Sequence, residues 1–257
     1  MSHPQTGLND RRIVEALGLF QGADGVELKL TVPDSEQRSA VAALGLDILD
    51  AELRQVVFFD TPDLKLNRSG IVVRARRVGK GGDSVVKLRP VVPAHLPRKL
   101  RRADGFKIEV DVMPGSFVCS GSLKASADNG HVRKVLAGKR AIRKLFSPEQ
   151  RALYANHAPG GLDLDSLAAF GPVNVAKLKF SAKNLGGRSA VAELWFYPDG
   201  SRVLELSTKC AHDEAFNLLA EARGMLAKRG IGFNGGQHTK TRRALEYFSR
   251  VQARGQR

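Results

Sequence analysis

Apolar and polar side chains alternate with a period of two along eight segments of this sequence. Alternate residues of a strand lie on opposite faces of a sheet, so the pattern predicts eight β-strands, five before a central region and three after it. Seven of these strands carry charged side chains on one face. The predicted strands span residues 26–32, 52–59, 71–78, 84–91, 106–112, 173–181, 189–197 and 202–209.

The third predicted strand places two arginines on one face. Arg74 and Arg76 share that face with Val72, whereas Ile71 and Val73 point to the other side. The planar guanidinium group suits phosphate oxygens. For this strand alone, however, an exposed sheet face with charged residues is the simpler interpretation.

The region between the two groups of strands lacks the period of two. Residues 131–146 have apolar side chains at helical spacings, and Ser147, Pro148 and Gln150 predict a capping box with proline in the first turn. The sequence thus predicts one α+β domain over residues 25–250. Within this domain, a helical insertion is predicted at about 115–170 and C-terminal helices at about 211–250. The domain is preceded by an N-terminal helix and lead-in over 1–24 and followed by a basic tail over 251–257.

The charged faces of the predicted strands combine both signs. Their basic residues are Lys29, Arg74, Arg76, Lys87, Arg89, Lys107, Lys177, Lys179 and Lys209. Their acidic residues are Glu27, Glu109, Asp111, Glu193 and Glu205. Two architectures fit: an open antiparallel sheet with its charged face in water, or a closed barrel with the charges inside, where they need partners or a ligand. The pattern alone slightly favours the open sheet, because it requires less.

The composition narrows the class of partner. The 257 residues carry a formal net charge of +15, which predicts a polyanionic partner. Aromatic residues make up only 6% of the chain and no nucleic-acid-binding motif stands out, which argues against nucleic acid. The two cysteines lie far apart and the N-terminus lacks an apolar signal core, which predicts a cytoplasmic protein. There is no run of about eighteen apolar residues, so we expect no membrane span. The sequence leaves open whether the protein forms a homodimer.

Several motifs follow one another in a defined order. They read ELK at 27–29, FDTPDLKLNRSGIVVRARR at 59–77, VKLR at 86–89, KIEVD at 107–111, KLK at 177–179, Glu193, LELSTK at 204–209 and HTK at 238–240. This order resembles the CYTH family of triphosphate tunnel metalloenzymes, which includes inorganic and thiamine triphosphatases and class IV adenylate cyclases. The resemblance covers roughly residues 25–250, and the block DTPD…L…G…R.R is its most specific part.

The resemblance implies an eight-stranded antiparallel β-barrel tunnel with helices packed outside. Its basic residues would bind a linear triphosphate or polyphosphate, and Lys29 and Lys87 are also assigned to catalysis. Carboxylates would bind Mg²⁺ or Mn²⁺. The predicted substrate-binding residues combine those that the resemblance implies with the other basic residues on the charged strand faces. They are Lys29, Arg74, Arg76, Lys87, Arg89, Lys107, Lys177, Lys179, Lys209 and Lys240. The implied metal ligands are Glu27, Glu193 and Glu205, with Glu109 and Asp111 nearby.

Two positions depart from the family pattern. The family's first strand usually reads Glu-x-Glu-x-Lys, but Gly25 stands in place of the first acid; its last strand usually offers Glu-x-Glu, but Ser207 replaces the second. Fewer carboxylates predict weaker metal binding. The expected activity is therefore a metal-dependent triphosphatase, a phosphoric anhydride hydrolase. Two alternatives remain: a polyphosphate- or nucleotide-binding module with a degraded metal site, and a class IV-like adenylate cyclase.

Overall fold

Nine strands close into one barrel in the computed structural model, which describes residues 18–79, 81–182, 187–231 and 240–255. Around the barrel the order is β1-β5-β6-β4-β3-β2-β7-β8-β9, and β9 pairs with β1. The pair β1–β5 is parallel, whereas the other eight pairs are antiparallel. The strands are β1 Gly25–Val32, β2 Glu52–Asp60, β3 Ile71–Val78, β4 Gly81–Leu88, β5 Phe106–Met113, β6 Ser116–Ala127, β7 Ala168–Ala182, β8 Arg188–Phe196 and β9 Arg202–Cys210.

The closed barrel confirms the predicted tunnel and rules out the open sheet. The predicted count of eight strands and the purely antiparallel arrangement are wrong. The missed strand is β6, which opens the region predicted as a helical insertion. Its sequence, SFVCSGSLKASA, is rich in small residues and shows little apolar alternation. One of these is Gly121, where an added Cβ would lie 2.8 Å from Cζ of Phe106, so the small side chain permits the close packing.

Helices pack on the outside of the barrel, against the apolar faces of the strands. In the described residues they are α1 Gln37–Ala43, α2 Lys65–Arg68, α3 Arg98–Arg101, α4 Asn129–Leu136, α5 Pro148–Ala155, α6 Ala215–Ala227 and α7 Lys240–Gly255. One core joins Val73 of β3 and Ile108 of β5 to Val132 of α4 and Leu153 of α5. A second core includes Leu30 of β1 with Leu226 of α6. The charged faces of the strands therefore point inward.

Helix ends differ from the sequence prediction in two places. The predicted helix over 131–146 stops at Leu136, because Gly138 adopts a left-handed conformation (φ +69°) and closes a Schellman motif with the amide of Lys139 bonded to the carbonyl of Lys134. At the C-terminus, α7 continues through Gly255, so residues 251–255 of the predicted tail are helical. The predicted capping box of α5 is confirmed.

The DTPD motif has a structural role at the end of β2. The buried Asp60 carboxylate accepts hydrogen bonds from the backbone amides of Thr61 at 2.7 Å, Leu66 at 2.9 Å and Asn67 at 2.9 Å. The bonds from Leu66 and Asn67 satisfy backbone amides in the first turn of α2. Gly70 then leads into β3 with φ +73°, and an added Cβ would lie 2.4 Å from the carbonyl oxygen of Arg89. The motif thus fixes where the arginine-bearing strand begins.

No helix in the described ranges is long and apolar enough to cross a membrane. Of the predicted N-terminal helix and lead-in, residues 1–17 lie outside the described part of the chain. Residues 18–21 are helical and precede β1.

Candidate functional site

The inside of the barrel encloses a cavity of about 1140 Å³. Of the described side chains that line it, twelve are basic and six acidic. Fourteen of the fifteen predicted site residues are among them: Glu27, Lys29, Arg74, Arg76, Lys87, Arg89, Lys107, Glu109, Asp111, Lys177, Glu193, Glu205, Lys209 and Lys240. Charged side chains from separate strands therefore meet in one lumen, as predicted.

Lys179 is the exception among the predicted residues. It is exposed and does not line the cavity. Lys179 lies two residues beyond Lys177 on β7, opposite Val191 of β8. Two residues of a strand span about 6.6 Å. Lys179 therefore lies on the same face of β7 as Lys177, but beyond the part of the strand that lines the cavity. The two flanking residues of the predicted closing motif, His238 and Thr239, lie outside the described residues.

Asp111 on β5 holds three cations together in the lumen. Its Oδ1 accepts from Nζ of Lys29 at 2.7 Å, and its Oδ2 lies 3.5 Å from both Nζ of Lys87 and Nη2 of Arg89. The Asp111 side chain is 1% exposed. Lys29 also pairs with Glu27 at 3.2 Å. One buried carboxylate thus positions basic side chains from β1, β4 and the residue just after β4.

The pKa values in this cluster reflect the competition between burial and charge. Burial alone would raise the pKa of Asp111, but Lys29, Lys87 and Arg89 hold it well below its usual range. Burial would lower the pKa of Lys29, but Asp111 and Glu27 raise it. For Lys87, burial prevails over the attraction of Asp111, and the neighbouring cations Lys29 and Arg89 help to lower its pKa to about 8. Of the two lysines in this cluster, Lys87 is thus the one whose charge is less compensated.

A second basic group lies on β3. Burial and the charge of Arg76 lower the pKa of Arg74 to about 10, and its Nε is buried with no hydrogen-bond partner among the described residues. Arg76 instead makes two hydrogen bonds to Asp83 of β4, with Nε 2.9 Å from Oδ1 and Nη2 2.7 Å from Oδ2. Lys124 of β6 lies 3.5 Å from the same carboxylate.

Sequence reasoning missed several charged residues of the lumen. Asp83 lies just before the predicted strand 84–91, whereas β4 already begins at Gly81. Lys124 belongs to the strand that was not predicted. Arg54 on β2 and Arg242 on α7 also line the cavity. The parity of β2 was the signal available for Arg54, since Arg54 and Val56 both line the lumen two residues apart.

The third charged group joins the C-terminal helix to the barrel. Nζ of Lys240 forms ion pairs with Glu193 of β8 and with Glu205 of β9, the latter at 2.7 Å. Burial would raise the pKa of Glu193, but Lys240 and then Arg74 lower it to about 2. Trp195 lies beneath the ammonium, 5.5 Å from ring centroid to Nζ, and is 2% exposed. Trp195 therefore packs into the wall of the barrel, between Phe58 and the Lys240 ammonium.

Two solved structures share this architecture. A candidate adenylate cyclase from Bacillus halodurans matches with a TM-score of 0.59 and 13% identity, over 85% of this chain and 96% of that chain. A candidate adenylyl cyclase from Hippeastrum, for which a dominant triphosphatase activity is described, matches with a TM-score of 0.57 and 18% identity, over 83% and 91%. The chain has a CYTH-like fold. No family model and no curated protein matches the sequence.

The acidic residues of this CYTH-like tunnel are paired with lysines. Nowhere in the described residues do three His, Cys, Asp or Glu side chains come together in a metal-binding group. Each predicted ligand pairs instead with a lysine: Glu27 and Asp111 with Lys29, Glu109 with Lys209, and Glu193 and Glu205 with Lys240. Gly25 and Ser207 supply no carboxylate where the family pattern has one. Among the described residues, these pairings leave no group of carboxylates free of lysine partners that would hold Mg²⁺ or Mn²⁺ in the absence of a phosphate ligand.

Proposed function

We propose that the lumen binds a linear triphosphate and hydrolyses it. The observation that supports this most directly is the excess of positive charge inside a closed barrel, where three cations share the single carboxylate of Asp111. Buried charges need counter-charges. The described lining offers half as many acids as bases, and a triphosphate would supply the missing negative charge.

In this proposal, basic side chains hold successive phosphoryl groups along the lumen. Lys87, Arg89 and Arg74 are the main binding groups: Lys87 and Arg89 share one oxygen of Asp111, each at 3.5 Å, and the buried Nε of Arg74 has no hydrogen-bond partner among the described residues. Lys29 and Lys87 stabilise the negative charge that develops on the oxygens of the phosphoryl group under attack by water. Such positioning and electrostatic stabilisation account for most of the catalysis in phosphoryl transfer. No step here passes through a divalent ion, because each predicted metal ligand already has a lysine partner.

Binding of a polyphosphate without turnover is the second candidate. It is favoured by the pairing of every predicted metal ligand with a lysine. A class IV-like cyclase is a weaker candidate, because Trp195 is buried against Phe58, with ring centroids 6.3 Å apart, and does not present a free face to a nucleobase.

Phosphate release from tripolyphosphate, ATP and thiamine triphosphate, each with Mg²⁺, Mn²⁺ or EDTA, separates these candidates. Hydrolysis predicts release of phosphate from at least one substrate and its loss in Lys87→Met. Lys99→Met, on the exposed surface of α3, is the matched control and should retain activity. Binding without release from any substrate favours the second candidate, and cyclic AMP detected by chromatography favours the cyclase. A folded protein that neither binds nor cleaves any of the three would contradict the proposal.

A further inference from the structure

Two carboxylates face each other directly across the strand pair β8–β9. Glu193 and Glu205 are cross-strand partners, and both side chains point into the lumen. Their side chains are only 14% and 7% exposed. Like charges directly opposite each other destabilise a sheet, and burial increases the cost. The pair therefore requires a cation between its members, and in many proteins such a pair binds a divalent ion.

Lys240 supplies that cation from within the chain. Its ammonium pairs with both carboxylates, and its side chain is 17% exposed. The backbone of Lys240 is held by the barrel, because Oη of Tyr197 donates to its carbonyl oxygen at 3.3 Å. Further along α7, Ser249 donates to the carbonyl of Pro62 and Gln252 to that of Ala169. These contacts hold the helix on the barrel with its first residue in the lumen.

We propose that Lys240 is a tethered cation that neutralises the Glu193–Glu205 pair in place of a divalent metal ion. One ammonium, fixed by α7, satisfies the two acids that would otherwise attract a metal. The carboxylate pair therefore does not need a free cation to balance its charge. A second consequence rests on the proposed function: a triphosphate ligand binds to this tunnel without a divalent ion.

Electron paramagnetic resonance of Mn²⁺, titrated into the protein without a phosphate ligand, tests the first part independently of any activity. Wild type should leave most of the Mn²⁺ free. The affinity of Lys240→Met for Mn²⁺ should be at least about tenfold higher than that of wild type, because the carboxylate pair has lost its cation. Lys240→Met with Glu205→Gln should lose the gained binding. Lys209→Met is the matched control, since it releases the single carboxylate of Glu109 and should gain no Mn²⁺ site. Equal Mn²⁺ binding by wild type and folded Lys240→Met would overturn the proposal.

Calorimetry of wild-type protein with tripolyphosphate in EDTA tests the second part and needs no variant to fold. Binding that persists in EDTA is the expected result. Binding that appears only with added Mg²⁺ or Mn²⁺ would overturn the proposal. Absence of binding under both conditions would contradict the proposed function, and the Mn²⁺ titration would still decide the role of Lys240.

Discussion

Nζ of Lys29 lies 2.7 Å from Oδ1 of Asp111, and this ion pair links β1 to β5, the strands that pair in parallel in the described barrel. The two groups differ in exposure, at 17% for Lys29 and 1% for Asp111. Because Lys87 and Arg89 approach the other oxygen of the same carboxylate, Asp111 determines the spacing of three lumen cations. One acidic residue thus organises the charge that the proposed ligand would meet.

Replacing Asp111 tests this organisation. Asp111→Asn leaves the three cations without their shared counter-charge, and we expect the free energy of unfolding to fall by about 3 kcal/mol, as when one partner of a buried ion pair is removed. Added tripolyphosphate should raise the melting temperature of Asp111→Asn more than that of wild type, because the ligand replaces the lost charge. Urea and thermal unfolding, with and without the ligand, measure both effects.

Glu109→Gln is the control for that experiment. Glu109 lies on the same strand and face, but its partner Lys209 is 64% exposed, so the pair contributes about 1 kcal/mol or less. An equal loss of stability in Asp111→Asn and Glu109→Gln would contradict the organising role of Asp111.

The sequence was sufficient to predict the barrel strands whose faces differ strongly in polarity. That these faces enclose a lumen was implied by the family resemblance, since the pattern alone slightly favoured an open sheet. Strand parity correctly placed Arg74, Lys87 and Glu193 on the charged faces of their strands, because alternation specifies which side chains share a face. It did not reveal β6, whose small residues pack closely without an apolar stripe, nor the parallel pair β1–β5, since parallel and antiparallel strands alternate alike. Pairing between side chains was also beyond the sequence. Lys240 was predicted to bind substrate, and only the position of α7 shows that it pairs with two carboxylates.

The lowered pKa of Lys87 predicts that ligand binding takes up protons. Burial and neighbouring cations lower the pKa to about 8, so about half of the free protein has a neutral Lys87 at pH 8. A bound triphosphate favours the charged form and raises this pKa. Affinity should therefore be greatest below pH 8 and decrease as the pH rises through that value. Calorimetry at pH 8 in two buffers of different ionisation enthalpy measures the uptake, which should be about half a proton smaller in Lys87→Met than in wild type. Identical uptake by the two proteins would contradict the assignment.

The Arg76–Asp83 pair predicts a variant with tighter ligand binding. Asp83 accepts both hydrogen bonds of the Arg76 guanidinium and also lies near Lys124. In Asp83→Asn the guanidinium becomes available to phosphate, and we expect affinity for tripolyphosphate to rise about fivefold, or about 1 kcal/mol. Asp165→Asn, which frees Arg143 outside the lumen, should leave affinity unchanged. Unchanged or weaker binding by folded Asp83→Asn would show that Arg76 does not contact the ligand.

Gln150 of α5 connects the central helices to the barrel. This buried amide accepts from Oγ of Ser84 at 2.8 Å, and it donates to the carbonyls of Ser84 and Leu123, both at 2.9 Å. Gln150→Ala leaves these groups of β4 and β6 unpaired and opens a cavity, so we expect the free energy of unfolding to fall by about 3 kcal/mol. The adjacent Glu149→Ala, at an exposed position, should cost far less. Equal urea midpoints for the two variants would contradict this role.

Restoring the two missing carboxylates should create a metal site that Lys240 does not neutralise. Gly25 and Ser207 share the parity of Glu27 and Glu205, and a Cβ added at Gly25 meets no atom within 4 Å. The double substitution Gly25→Glu with Ser207→Glu places new acids beside existing ones on β1 and β9. Because added carboxylate oxygens strengthen the binding of hard divalent ions, the variant should bind Mn²⁺ and show metal-stimulated phosphate release from tripolyphosphate. Ser39→Glu, on the exposed face of α1, controls for added charge and should do neither. If the folded double variant fails to bind Mn²⁺, the loss of these two acids does not explain why the lumen lacks a metal site.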